Sequence, residues 1–311
     1  MLSRVADNLF WLGRYLERSE HLARYLNVQY FSSIDVPYPQ QRERAIVSIM
    51  DMVGMQPGLD HFLEEEVLVA VALDETNPVS ILSSTFYGRE NARSIRDSVS
   101  TELWESMNNY YLFVSGYPVD VYKTRGLYDF TSNVFNHCSI VRGKIQNTLM
   151  QDVGWCFIQM GMHLESAIQV VRILLSKIKD IETFKDYKLG NSMELQQWNI
   201  LLDCLEAKDM CRKQYNALPN RLNTLEFLIL NPEFPRSVTY HLTHAHDLLK
   251  KISQNKQFSK ASMEFKVGKV ISHLQYLEVE EVDENLIPFL DDTLQKIHLI
   301  CDIIIDEYFT Y

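Results

Sequence analysis

The stretch MLSRVADNLFWLGRYLERSEHLARYLNVQYF, residues 1–31, decides the fold. Leu2, Val5, Leu9, Leu12, Leu16, Ser19, Ala23 and Leu26 recur at alternating steps of three and four, the spacing that lines one face of a helix. The seam predicts one long helix packed lengthwise in a bundle. Its far side is not an ordinary wet surface. At about 100° per residue, Phe10, Arg14, Glu17, Arg18 and His21 gather there, with Trp11 beside them. Charges set among bulky aromatics predict a helix covered on both faces. Covered charges must then pair with one another or with a ligand, because an unpaired buried ion is costly. The plainer alternative is a solvated face whose Arg14–Glu17 pair contributes about 0.2–0.5 kcal/mol.

Outward from this helix the same pattern repeats. It predicts helices over 41–52 and 59–72, after a closing segment from Ile34 to Gln40 that holds two prolines. Asn77-Pro78 opens a stretch with Ala92, Ile95, Val99, Leu103, Met107, Tyr110 and Val114 on one side, read as one helix that ends at Ser115-Gly116-Tyr117-Pro118. Another helix covers 119–149. Asp152 begins the next, with Gly161, Leu164, Ile168, Val171, Leu175 and Ile178 as its seam. Helical patterns continue over 193–213, 219–230, 235–253, 258–277 and 283–309, and the acidic tract from Glu278 to Glu284 reads as a solvated loop or a helix start. No alternating strand pattern and no long linker interrupts them. The expectation is an all-α chain, a single elongated multi-helix bundle forming one domain over 1–311.

Composition narrows the function classes. Apolar residues make up 46% and charged residues 23%, which suits a globular core rather than disorder. Gly (11) and Pro (9) are scarce, as long helices require. A net charge of −11 and a pI near 5.3 argue against a nucleic-acid surface and a polybasic membrane anchor. No apolar run is long enough to span a bilayer, and Arg4, Asp7 and Arg14 break the N-terminal apolar stretch, so no signal peptide is read there. Cys138, Cys156, Cys204, Cys211 and Cys301 show no CxxC and no zinc spacing, which fits reduced thiols of a cytoplasmic protein.

Two further charged motifs stand out. In GRENARSIR, residues 88–96, Arg89, Arg93 and Arg96 form a stripe that calls for facing carboxylates or a bound anion; Glu17 and Glu165 are the acids expected to meet it, and a plain solvated stripe is the alternative. In GWCFIQMGMHLESAIQVVR, residues 154–172, the first helix is echoed: with Gly13 laid on Gly161, Leu16 meets Leu164, Glu17 meets Glu165 and Arg24 meets Arg172. Gly13, Gly88, Gly161 and Pro235-Arg236 follow one another at intervals of about 75 residues, as a decayed helical repeat would. His241, His244 and His246 with Asp247 lack an HExxH-type pair and read as polar helix surface, so no metal is expected. Standard phosphate-binding loops and the GxSxG elbow are missing too, and no cofactor is expected.

The segment Arg4-Val-Ala-Asp-Asn-Leu-Phe-Trp-Leu-Gly-Arg-Tyr-Leu-Glu-Arg18 closely resembles the opening motif of the alpha-E domain family. Gly88-Arg-Glu-Asn-Ala-Arg93 with Trp104-Glu105 and Asn108, Gly154-Trp155 with Gly161 and Glu165, and Phe234-Pro-Arg-Ser-Val238 resemble its later motifs in order, so that the likeness runs from Met1 to about residue 250. The resemblance implies an all-α fold and a bacterial setting beside circularly permuted ATP-grasp ligases and transglutaminase-like proteins, a system that makes or attaches a peptide or amide bond. It carries over Arg14, Glu17, Arg18, Arg89, Arg93, Glu165 and Arg236; Arg96 joins them by its place in the stripe. One departure is plain: Met162 and Ser166 stand where the family pattern has arginines.

Three readings follow. In the first the chain is a non-catalytic helical partner of such a ligase, holding a carboxylate or phosphate at the Arg/Glu cluster. In the second it is an enzyme, with Glu17 or Glu165 as base and Arg89, Arg93 and Arg236 as a clamp, although arginine-paired glutamates make weak bases. In the third the charges are buried ion pairs that fix the bundle's register.

Overall fold

The structure, a computed structural model, describes residues 2–34, 39–55, 63–186, 191–253, 260 and 262–309. Every regular element among them is helical. Helix α1 (Ser3–Ile34) runs through the middle of the molecule, and Leu9, Leu12, Leu16, Ala23 and Leu26 of its seam are buried together with Phe10 on the far side. It is followed by α2 (Pro39–Met52) and α3 (Glu64–Ala72). Residues 35–38 and 56–62, where the sequence predicts the end of one helix and the start of another, lie outside the described residues.

The helix expected from Asn77 to Val114 is instead a hairpin. Helix α4 (Ile81–Ser94) starts at Ser80, whose hydroxyl accepts from the Ser83 N–H, and stops at a 3-10 turn over Arg96–Ser98. Helix α5 (Thr101–Ser115) restarts on Ser100, whose hydroxyl accepts from the Leu103 N–H. Serine caps compete with the apolar period, and here they win. After α5 come the short α6 (Val119–Val121), a π-helical turn over Tyr122–Gly126, and α7 (Leu127–Thr148).

Helix α8 (Val153–Asp186) is the second axis. Arg14 pairs with Glu165, Tyr25 with Ser176 and Gln29 with Asp180, one constant offset, so α1 and α8 run in the same direction. They touch at glycine. A Cβ on Gly161 would lie 2.1 Å from the Phe10 carbonyl oxygen, and one on Gly13 would lie 2.3 Å from that of Ile158. Nothing but hydrogen fits there, and this closeness brings both charged faces within reach of each other. The repeat register matched these same two glycines.

The remaining helices wrap this pair. The run expected over 193–213 divides into α9 (Asn191–Cys204) and α10 (Lys208–Tyr215), because Glu206 takes a left-handed conformation at φ 50°. Then come α11 (Arg221–Leu225), a π-helical turn over Glu226–Leu230, and α12 (Val238–Ile252), capped by the Ser237 hydroxyl. Last are α13 (Met263–Gln275), α14 (Val279–Glu284) and α15 (Leu286–Tyr308). The acidic tract is a helix start: Glu278 and Glu281 form a capping box at the head of α14. Residues 254–259 lie outside the described residues.

Candidate functional site

Three charged networks lie along the α1–α8 seam; one borders a cavity of about 350 Å³ and another a crevice of about 20 Å³. At the first, Glu165 is fully buried. Its oxygens accept from Arg14 Nε at 2.8 Å, from Arg18 Nε at 2.8 Å and Nη2 at 3.1 Å, and from Gln169 Nε2 at 2.8 Å. Aromatics hold the two arginines: the Arg14 guanidinium sits 4.5 Å from the Trp11 ring centroid and that of Arg18 lies 5.4 Å from Tyr15. Burial pushes the Glu165 carboxyl up, but Arg18 and Arg14 outweigh it and hold it well below the usual carboxylate range. This acid stays ionised and is saturated with donors.

A turn or more further along, Lys177 is only 1% exposed and donates to Asp180 at 2.9 Å, to Gln29 at 3.1 Å and to Gln197 at 2.7 Å. Asp180 also accepts from Arg44 Nε at 2.7 Å and from the Ser48 hydroxyl at 2.9 Å. This network borders only a crevice of about 20 Å³, room for little more than a water.

The third network surrounds Glu17. Arg142 of α7 donates to Glu17 at 2.7 Å and also to Glu20, and the Ser166 hydroxyl donates to Glu17 at 2.7 Å. Glu20 further accepts from Arg24 at 2.6 Å and from Arg236 at 3.5 Å. Arg236 Nη2 reaches Glu206 at 2.5 Å, and Arg24 lies 3.3 Å from the same carboxylate. The left-handed backbone at Glu206 places that carboxylate between two guanidinium groups. Burial pushes the Glu20 carboxyl up, yet Arg142, Arg24 and Arg236 together hold it well below its ordinary range.

A cavity of about 350 Å³ opens beside this network, lined by Glu17, Arg142, Ser166, Arg236 and His241 among others. His163 and His241 meet on its wall, Nδ1 to Nδ1 at 3.1 Å. Burial, with His244 next to it, drives the His163 ring down to about 3, and burial with His163 pushes His241 well below its ordinary value. Both rings are therefore neutral. Such a pair shares one proton between its Nδ1 atoms, which leaves one Nε2 as a donor and the other as an acceptor whichever tautomer forms. His241 Nε2 is buried and has no partner, and neither ring nitrogen of the fully buried His21 has one.

The structure thus gathers Arg14, Arg18 and Glu165 at one network, and Glu17 with Arg236 at another. Arg89, Arg93 and Arg96 do not join either one. Arg89 donates to Asn108 and Glu90 at 2.8 and 2.7 Å, Arg93 pairs with Glu90 at 3.4 Å, and Arg96 stacks 5.5 Å from Trp104. The expected meeting of Glu17 and Glu165 with this stripe is not found: the arginines on those acids come from α1 and α7. Sequence reading missed Arg142, Glu20, Arg24, Glu206 and the His163–His241 pair. Glu20 and Arg24, four apart on the charged face of α1, were legible; a single arginine on α7 gave no signal. No described group of His, Cys, Asp and Glu is arranged to hold a metal ion, and no described helix is long and apolar enough to cross a membrane.

An all-α chain built round two parallel helices, with a Glu-Arg pair at their crossing, defines the class. The chain belongs to the Alpha-E family, described as a predicted alpha-helical domain with a conserved ER motif, whose model matches residues 1–309; Glu17-Arg18 is such a pair. Among its relatives are uncharacterized proteins of Mycobacterium bovis and Mycobacterium tuberculosis, each 21% identical over 301 residues. The match covers 90% of this chain and 33% of each relative, so the chain spans about a third of the length of the curated relatives it matches. No solved structure matches.

Proposed function

We propose that this chain is a non-catalytic helical module of a bacterial, cytoplasmic ATP-grasp-type peptide or amide ligase system, and that it holds a carboxylate or phosphate of a substrate or partner at its Arg/Glu cluster. The observation that carries the reading is the cavity beside Glu17. Arg142 and Arg236 both line it. Arg142 Nη1 and Arg236 Nε and Nη1 bond to no described residue, which leaves charge-assisted donors for an anion. The ATP-grasp and transglutaminase-like partners come from the family resemblance. The threefold greater length of the mycobacterial relatives supports a module that works joined to other polypeptide. Five free, buried cysteines suit a reducing compartment.

The enzymatic alternative keeps Glu17, which shares the cavity with two neutral histidines, and loses Glu165, whose carboxylate is sealed and saturated. Affinity purification from the native host decides between the readings. A circularly permuted ATP-grasp protein is expected to travel with the chain, and the purified chain alone is expected to form no amide bond. Isolation without such a partner, or ligase turnover by the chain alone, would overturn the proposal.

A further inference from the structure

The internal echo between α1 and α8 explains why the cavity exists. Arg14 and Arg18 of α1 reach across and close over Glu165. The matching positions of α8 are Met162 and Ser166, and both line the cavity beside Glu17. Two arginines at those positions would fill that space and seal Glu17 as Glu165 is sealed. The shorter side chains leave it open, and Arg142 supplies the missing cation from α7.

The charges around the opening balance: Arg24, Arg142 and Arg236 stand against Glu17, Glu20 and Glu206. A dianion such as phosphate would therefore sit beside three carboxylates with no spare cation. The lining offers both polarities. Arg142 and Arg236 present unused donors, whereas Glu17 presents an acceptor. Glu17 Oε2 takes only the Ser166 hydroxyl within hydrogen-bond range, with the His21 ring at 3.8 Å.

We infer that the cavity binds a small α-amino-acid zwitterion, with its carboxylate on Arg142 and Arg236 and its ammonium on Glu17. This rests on the reading that the cluster holds an anionic group, and it names the ligand class: the carboxylate is one end of an amino acid. A volume of about 350 Å³ is at the small end for ligand sites, which suits a free amino acid or a dipeptide. In a peptide- or amide-forming system, such a site would hold the unit to be joined.

The test is calorimetric titration of the full chain with the twenty amino acids, followed by the best binder in N-acetylated and decarboxylated forms, and by inorganic phosphate. The zwitterion is expected to bind at least tenfold more tightly than either form lacking one charge. Gln159→Trp, at a half-exposed position of the cavity wall, is expected to abolish binding and leave the melting temperature in place. Glu17→Gln should weaken the zwitterion and not its N-acetyl form. Phosphate or N-acetyl amino acid binding as tightly as the zwitterion overturns this inference and leaves the anion-holding reading standing. If neither amino acids nor phosphate bind in a way that Gln159→Trp removes, both readings fall.

Discussion

Glu165 and Glu17 occupy matching positions on two parallel helices, yet one is locked and the other is open. Glu165 receives both its arginines from a single neighbouring helix face, is covered by aromatics, and has no exposure. Glu17 is itself only 4% exposed, but it receives its arginine from a third helix, that arginine is 35% exposed, and both line the cavity. The difference lies in two side chains of α8, Met162 and Ser166, rather than in the backbone, which the glycine crossing holds the same on both sides. A helical repeat that keeps its crossing and loses its arginines on one side turns a structural ion pair into a lined cavity. The Lys177–Asp180 network further along the seam is closer to Glu165: satisfied, and beside a crevice of only about 20 Å³.

The comparison breaks most directly at Glu165. Replacing it with alanine leaves Arg14 and Arg18 buried without their carboxylate, which costs about 3–5 kcal/mol of stability for a buried pair broken on one side. Glu17→Ala releases Arg142 toward solvent and should cost less than about half as much. Denaturant unfolding of the two variants measures both. Equal losses would mean that the two acids are structural alike, and the distinction between locked and open would fail.

Acid sharpens the comparison next. The unfolded ring of His163 titrates near 6.5 and the folded one near 3, so between those values the unfolded chain binds a proton that the folded chain refuses. This contribution to stability is therefore complete above about pH 6.5 and is lost as pH falls toward 3. His241 and His21 shift in the same direction: burial leads both, reinforced by His163 at the first and by Arg236 at the second. Glu165 and Glu20 shift downward as carboxylates, and their contribution is present above about pH 4.5 and fades only below it. From pH 7 to pH 5 His163 should remove about 2 kcal/mol, and His241 and His21 act in the same direction. His163→Gln should flatten the slope in that window, and Glu165→Gln should not. An unchanged slope in His163→Gln would show that the cavity side is not the acid-sensitive one.

Much of this was legible in sequence, and the limits have physical causes. The three-four seams and the aromatics among charges on residues 1–31 showed that α1 is covered on both faces. The Gly13–Gly161 register was read only as a decayed repeat; the structure puts the same two glycines at the crossing, because only glycine permits backbones that close. Where reading failed, local caps overrode periodicity: Ser100 split one expected helix, and the left-handed Glu206 split another. The site itself was half visible. Its α1 residues share a pattern, but Arg142 and the His163–His241 pair come together only through packing between helices far apart in sequence. The arginine stripe misled for the opposite reason: its acid, Glu90, was already inside the motif.

The smallest structural effect is expected at Arg93, and it tests what the stripe is for. Arg93 is 62% exposed and, among the described residues, pairs only with Glu90, at 3.4 Å. Alanine there should change stability by no more than about 0.5 kcal/mol, as exposed positions usually do. The face around it is nonetheless unusual for a solvated one: Arg89 lies 5.0 Å from the Tyr111 ring, Arg96 covers Trp104, and Phe86 and Tyr87 are exposed beside them. Arginine and aromatic side chains are enriched where proteins meet, and lysine and small polar residues are not. If this face receives the acidic surface of a ligase partner, Arg93→Ala should weaken that association by about the worth of one charge-assisted hydrogen bond, roughly 1.5–3 kcal/mol. Amino-acid binding at the cavity, which Arg93 does not line, should be unchanged by the same substitution. Pull-down of the ATP-grasp protein on wild-type and Arg93→Ala chains, beside a thermal melt of each, reads both quantities. Equal capture with equal melting would make the stripe an ordinary solvated face, and the recognition role would fall back on the cavity beside Glu17.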